Sequence, residues 1–166
     1  DMSTKINYKE HWDKIYSKSE IEKLGWYEES PKPSLDLIEK CKLNKDALIL
    51  DVGSGATTLI GKLLKDCYTN IAATDISTVS LTKTKSKLNE DEKELVNWVV
   101  DDITNPQYLT EIGAIDLWHD RTVLHFLTEK SQRKGYLSTL KQLVKMGGYV
   151  IIAVFSPEGA KKCSGL

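Results

Sequence analysis

Short, almost wholly apolar runs recur along this chain, and each gives way to a stretch whose apolar residues return every three or four positions. The run at 47–50 has the length and character of a parallel strand covered on both faces. Similar runs at 71–75, 95–100, 114–118 and 149–155 predict four more strands. Between them the period lengthens. Leu35, Leu37, Ile38 and Cys41 follow Pro33-Ser34, a helix opening. A helix is expected from the turn after the first strand to about Lys65, and another from Ser77, a suitable cap, towards Leu88. A long helix within 129–145 carries Tyr136, Leu137, Leu140, Leu143 and Val144 as its core stripe, and Met146-Gly147-Gly148 is expected to stop it. Residues 89–94 read as a solvated connector, and Asn105-Pro106 as a turn. Ahead of all this, Ile6, Tyr8, Trp12, Ile15 and Tyr16 approximate one helical face, followed by a loop holding Trp26 and Tyr27.

Strand and helix alternate, which implies a parallel sheet with right-handed crossovers and helices on both faces. Ligands of such sheets sit beyond the carboxyl ends of the strands. Polar residues gather at those ends here: Asp51 and a glycine turn after the first strand, then Asp75, then Asp101-Asp102, then His119-Asp120. In the turn Gly53-Ser54-Gly55, the glycines permit positive φ and close approach of a ligand to bare backbone. A helix follows, so free N–H groups point to the same place. A dinucleotide site would ask for a third glycine where Thr58 stands, and Asp51 would crowd a pyrophosphate. No Gly-Lys-Ser/Thr follows, so a P-loop is excluded. A ligand with ribose and a cationic amino group but no phosphate fits better. Asp75, twenty residues after Gly55, can accept both ribose hydroxyls, and Asp102 an adenine amino group.

Composition narrows the partners. The 166 residues carry a net charge of −1, with 40% apolar and 28% charged residues, as expected of one globular domain without a basic field for nucleic acid or anionic membrane. No apolar run is long enough for a membrane span. Cys41, Cys67 and Cys163 are widely spaced and form no CxxC, which suggests reduced thiols in a cytoplasmic compartment. His119 and His125 stand six apart without a supporting cysteine or HExxH pattern, so no metal site is expected. Asp101 is expected to be structural, and Lys83, Lys85 and Lys87 to form a solvated helix edge.

Asp51-x-Gly53-x-Gly55, then Asp75, Asp102-Ile103 and Gly147-Gly148 before a last strand, resembles the class I S-adenosylmethionine-dependent methyltransferases. The segments Asp116-Leu117-Trp118-His119-Asp120-Arg121, His125-Phe126-Leu127-Thr128 and Lys162-Cys163-Ser164-Gly165-Leu166 resemble the methyltransferase-like branch related to protein-lysine methyltransferases. The resemblance implies a Rossmann-like doubly wound α/β sheet of five parallel strands, order 3-2-1-4-5. The sixth and seventh strands of that fold are not expected within residues 1–166, a single domain in which 4–30 would be a lid. It also implies S-adenosylmethionine as cofactor and S-adenosylhomocysteine as product. Gly53, Ser54 and Gly55 would lie against the methionine and ribose portions, and Asp51 near the amino group. Asp75 would hold the ribose hydroxyls, Ile76 would pack on adenine, and Asp102 with the Ile103 N–H would meet its edge. The backbone around His119 would line the methionine tail, while Trp12, Tyr16 and Trp26 would close over the cofactor. Asp120 is the expected group to steer or deprotonate an acceptor. That acceptor would be a protein lysine or a small molecule; a non-catalytic adenosyl-binding scaffold is the alternative from another class. Oligomeric state is left open.

Overall fold

The structure is a computed structural model and describes residue 9, residues 31–56 and residues 58–153. Its elements follow in order: α1 (Lys32–Lys40), β1 (Ile49–Val52), a 3-10 turn (Ser54–Ala56), α2 (Leu59–Lys65), β2 (Ile71–Asp75), α3 (Thr78–Ser86) and α4 (Glu90–Glu94). Then come β3 (Val96–Val100), a second 3-10 turn (Leu109–Glu111), β4 (Ile115–Asp120), α5 (Val123–Phe126), α6 (Lys130–Leu143) and β5 (Val144–Ile152). The five strands are parallel and ordered β3-β2-β1-β4-β5, as expected.

Alternation along β1 assigns its side chains to two cores. Ile49 packs with Ile71, Ala73, Leu117 and the α1–α2 residues Ile38, Leu59, Ile60 and Leu63. Leu50 and Val52 pack on the other face with Trp118, Ile115, Tyr136 and Leu143. Every residue of β1 is buried, so its apolar run needs no polar alternation.

Four details depart from expectation. β4 runs on through His119 and Asp120, because β1 and β5 pair with it on both sides that far. In α6 the buried set is Tyr136, Thr139 and Leu143, whereas Leu137 is 45% exposed. Position 139 lies one turn from 136 and 143, while 137 is rotated off that stripe. Residues 89–94 contain a short helix, α4, whose Asn89 and Glu92 form a reciprocal capping box. Finally, Met146-Gly147-Gly148 does not stop α6, which ends at Leu143. It belongs to an irregularity in β5: Val144 pairs with Ile115 and Tyr149 with Leu117, so 145–148 bulge out, with Gly147 at φ +81. Lys145 meets the Asp116 carboxylate there.

The loop after β3 is built around Asp101. Its buried carboxylate accepts the backbone N–H groups of Asp102, Gln107, Tyr108 and Leu109 at 2.8–3.1 Å. The structural role expected of Asp101 agrees with this geometry. Asp101→Ala strands those donors and is expected to lower stability by about 3 kcal/mol. Urea unfolding midpoints of the variant and the parent would check this.

Candidate functional site

The first strand delivers its chain into a turn that the neighbouring elements hold shut. Gly53 has φ +70, and its N–H donates to the Thr74 carbonyl at 2.9 Å. A Cβ at Gly53 would stand 2.5 Å from Thr122 Oγ1 and 2.6 Å from Val123 Cγ2, so the loop after β4 presses on the turn. A Cβ at Gly55 would collide with the Ser80 hydroxyl of α3. Thr84, one turn further along α3, donates to the carbonyl of Ser54 at 3.3 Å. Ser54 itself is buried.

Asp75 ends β2 directly beside this turn. Its Oδ2 accepts from Gly55 N at 3.3 Å and from Ser80 Oγ at 2.9 Å, and its Oδ1 accepts from Ser77 N at 2.9 Å. Ser77 in turn caps α3 through Ser80 N. Burial pushes the Asp75 carboxyl up to about 6, against the pull of these hydrogen bonds and with the push of the Asp51 charge. A carboxylate offers about four acceptor directions, of which three are used here. Ile76 is half-buried, and its carbonyl accepts from Lys9 Nζ at 3.3 Å, with Thr78 Oγ1 at 3.4 Å from the same ammonium.

At the end of β3, the Asp102 Oδ1 accepts from Thr104 N at 2.9 Å and Thr104 Oγ1 at 2.6 Å, an Asx-type turn. Ile103 is buried in the Leu50–Trp118 core. Trp12, Tyr16 and Trp26 lie outside the described residues.

Parallel register sets Asp51 opposite His119. His119 Nδ1 stands 2.9 Å from Asp51 Oδ1, and His119 Nε2 stands 2.8 Å from Ser34 Oγ on α1. All three side chains are buried. The His119 imidazole is therefore spent inside the protein, under the turn.

The next residue along β4 faces the other way. Asp120 is 0% exposed, and its carboxylate accepts from Thr122 N, Val123 N and Leu124 N at 2.7–2.9 Å and from Tyr136 OH at 2.6 Å. Tyr136 accepts from Trp118 Nε1 at 2.9 Å. Burial pushes both the Asp120 carboxyl and the Tyr136 hydroxyl above their ordinary values. The expectation that Asp120 steers or deprotonates an acceptor does not fit this geometry. A carboxylate already taken by three N–H groups and a phenol in a sealed core holds the loop after β4.

Ser34, Ser80, Thr122 and Tyr136 shape the site without having stood out in the sequence. Ser34 reads only as part of a helix opening, and Tyr136 only as core stripe. Asn89-x-x-Glu92, by contrast, is a legible cap that carries no function. Among the described residues, no three His, Cys, Asp or Glu side chains cluster as a metal site.

Comparison with known proteins bears on the same stretch. The model of a methyltransferase domain family matches residues 50–150. The EEF1A lysine methyltransferase 2 of Danio rerio is 26% identical over 162 residues, covering 90% of this chain and 69% of that protein. Its Mus musculus counterpart is 25% identical over 160 residues, covering 89% and 65%. The chain thus spans about two thirds of the length of these relatives. Among solved structures, an S-adenosylmethionine-dependent methyltransferase of Anabaena variabilis superposes with a TM-score of 0.69 at 18% identity, over 89% of this chain and 62% of that one.

The raised Asp75 carboxyl makes stability depend on pH in a definite direction. Its folded value, about 6, exceeds its unfolded value near 4. The neutral form is favoured by folding, so its contribution is full below about pH 4 and is lost as pH rises through about 6, a fall of about 3 kcal/mol. The stability difference between the parent and Asp75→Asn, read from urea midpoints at pH 4 and pH 7, is expected to shrink by about that amount at the higher pH.

Proposed function

Because this chain belongs to a methyltransferase domain family, we propose that it binds S-adenosylmethionine over the carboxyl ends of β1, β2 and β3 and methylates a lysine side chain of a protein. The observation that carries the binding half is the Gly53–Gly55 turn tied by its Gly55 N–H to Asp75, the carboxylate that ends β2. A turn with positive φ and no Cβ lets the cofactor lie on backbone. Asp75 would take the ribose hydroxyls, exchanging the Ser80 or Gly55 donor for them as the turn shifts. Asp102 and the Ile103 N–H would meet the adenine edge, and Ile76 its face. Gly53, Ser54 and the backbone at His119 would flank the methionine portion, with Asp51 beneath its amino group. Trp12, Tyr16 and Trp26 would close over it from the N-terminal segment of the one domain. Lys9 supports that reading, since its ammonium donates to the carbonyl of Ile76, the residue proposed to pack on adenine.

When bound, the cofactor supplies a methyl group already activated by the sulfonium, which an acceptor nitrogen takes by in-line displacement. The protein's part is to align that nitrogen and keep water away. The lysine acceptor is supported by the curated relatives, which are named as EEF1A lysine methyltransferases. A protein substrate of that class is the first to try. No helix among the described residues is long and apolar enough to cross a membrane. Cys41 and Cys67 are free thiols, which supports a reducing, cytoplasmic setting. The net charge of −1 supports no nucleic-acid partner.

Calorimetric titration tests the cofactor. S-adenosylmethionine and S-adenosylhomocysteine are expected to bind and NAD not to; binding of NAD alone would overturn the reading. Asp75→Ala is expected to weaken S-adenosylhomocysteine about a hundredfold or more, roughly the worth of two hydrogen bonds to a charged group. In the parent, affinity is expected to fall as pH drops below about 6, where Asp75 gains its proton and loses an acceptor. For the acceptor, labelled methyl groups should enter EEF1A on lysine. Label that appears only in a small-molecule fraction would move the assignment to that class.

A further inference from the structure

Ser34, His119 and Asp51 form a buried hydrogen-bonded chain across three elements: the first turn of α1, the end of β4 and the end of β1. Their serine–histidine–aspartate chemistry looks like a hydrolase triad, but Ser34 is only 6% exposed and His119 only 1%, which a substrate-attacking pair is not. The chain's place suggests another use. Asp51 stands two residues before Gly53, where the backbone turns to positive φ. A carboxylate at Asp51 can only accept, so Nδ1 carries a proton, and in the neutral ring Nε2 then accepts from the Ser34 hydroxyl. Asp51 thereby selects the tautomer that aims an N–H at it, and the Ser34 hydroxyl, free to donate, pins the far side of the ring. Packing alone does not call for this set, because apolar residues of similar volume fill such sites at no greater cost. The neighbours on the same face, Ile49 and Leu117, are of that kind.

We propose that His119 is a positioning residue for the amino-acid end of the cofactor: it orients the Asp51 carboxylate beside the Gly53–Gly55 turn, and Ser34 anchors the imidazole ring from α1. The inference rests on the proposed binding of S-adenosylmethionine at this turn. It makes the cofactor's affinity depend on an imidazole that never touches it, and on α1 through Ser34.

The experiment compares two ligands in calorimetry, S-adenosylhomocysteine and 5′-methylthioadenosine, which lacks the amino-acid end. His119→Ala is expected to weaken S-adenosylhomocysteine about tenfold, the worth of one charge-assisted hydrogen bond. It should leave 5′-methylthioadenosine within about twofold of the parent. His119→Asn puts an amide N–H where Nδ1–H stood and should recover most of the loss; His119→Gln, whose amide reaches towards Ser34, should not. Nitrogen-15 spectra of the unliganded parent should show the Nδ1–H tautomer at His119, and Ser34→Ala should keep that tautomer while shifting the Nε2 resonance, which loses its donor. Equal weakening of both ligands, unchanged affinity in a folded His119→Ala, or an Nε2–H tautomer in the parent would each overturn the proposal. Should His119→Ala fail to fold, the Asn and Gln variants decide it, and equal affinities in the two would overturn it. A parent that binds neither ligand overturns the cofactor reading itself, a result visible before any variant is made.

Discussion

The pairing of β1 between β2 and β4 is the constraint on which the rest of this structure depends. It is the middle strand of the sheet, with both faces buried, and its register decides which side chains from distant parts of the chain meet. Asp51 falls opposite His119 and Val52 opposite Asp120. Because neighbours along a strand face opposite ways, His119 drops towards α1 and Asp120 towards α6. A slip of one residue would exchange those fates and bury each beside the wrong partners.

Carboxylates at the strand ends answer to a common physical demand. Each stands where the hydrogen-bonded ladder stops and backbone N–H groups of the next loop need acceptors. Asp101 meets that demand for the loop after β3, Asp120 for the loop after β4, and Asp75 for the turn and the start of α3. They differ in how completely they are used. Asp101 and Asp120 are taken up by the protein, whereas Asp75 has three donors among the described residues, one of them a serine hydroxyl. Acid at a strand end therefore has two readings, scaffold or ligand, and saturation by internal donors separates them.

The glycine turn shows the same economy of space. Thr122, Val123 and Ser80 come as close to Gly53 and Gly55 as a missing Cβ allows. Elements from β2, β4 and their loops thus converge on one bare stretch of backbone. A cofactor laid there would be sensed by both halves of the sheet, through α3 on one side and the loop after β4 on the other.

Much of this was open to inspection in the residues alone. Apolar runs of strand length, separated by helical periods, determined five parallel strands, because a buried strand needs continuous apolar sequence and its crossover needs an amphipathic helix. The turn at Gly53-Ser54-Gly55 and the acids at the strand ends were legible for a similar reason: the backbone there demands particular residue types. What the sequence could not determine was which acid faces which helix. Asp51 and His119 are 68 residues apart and Ser34 and His119 are 85, and nothing local records that they touch. Asp120, beside His119, looked equally placed for chemistry. Strand register and the pleat sent it into the Trp118–Tyr136 core, where its hydrogen bonds are all internal. Local chemistry dictates elements and turns; only the packed sheet, by bringing distant side chains within 3 Å, decides which polar groups serve a ligand and which serve the fold.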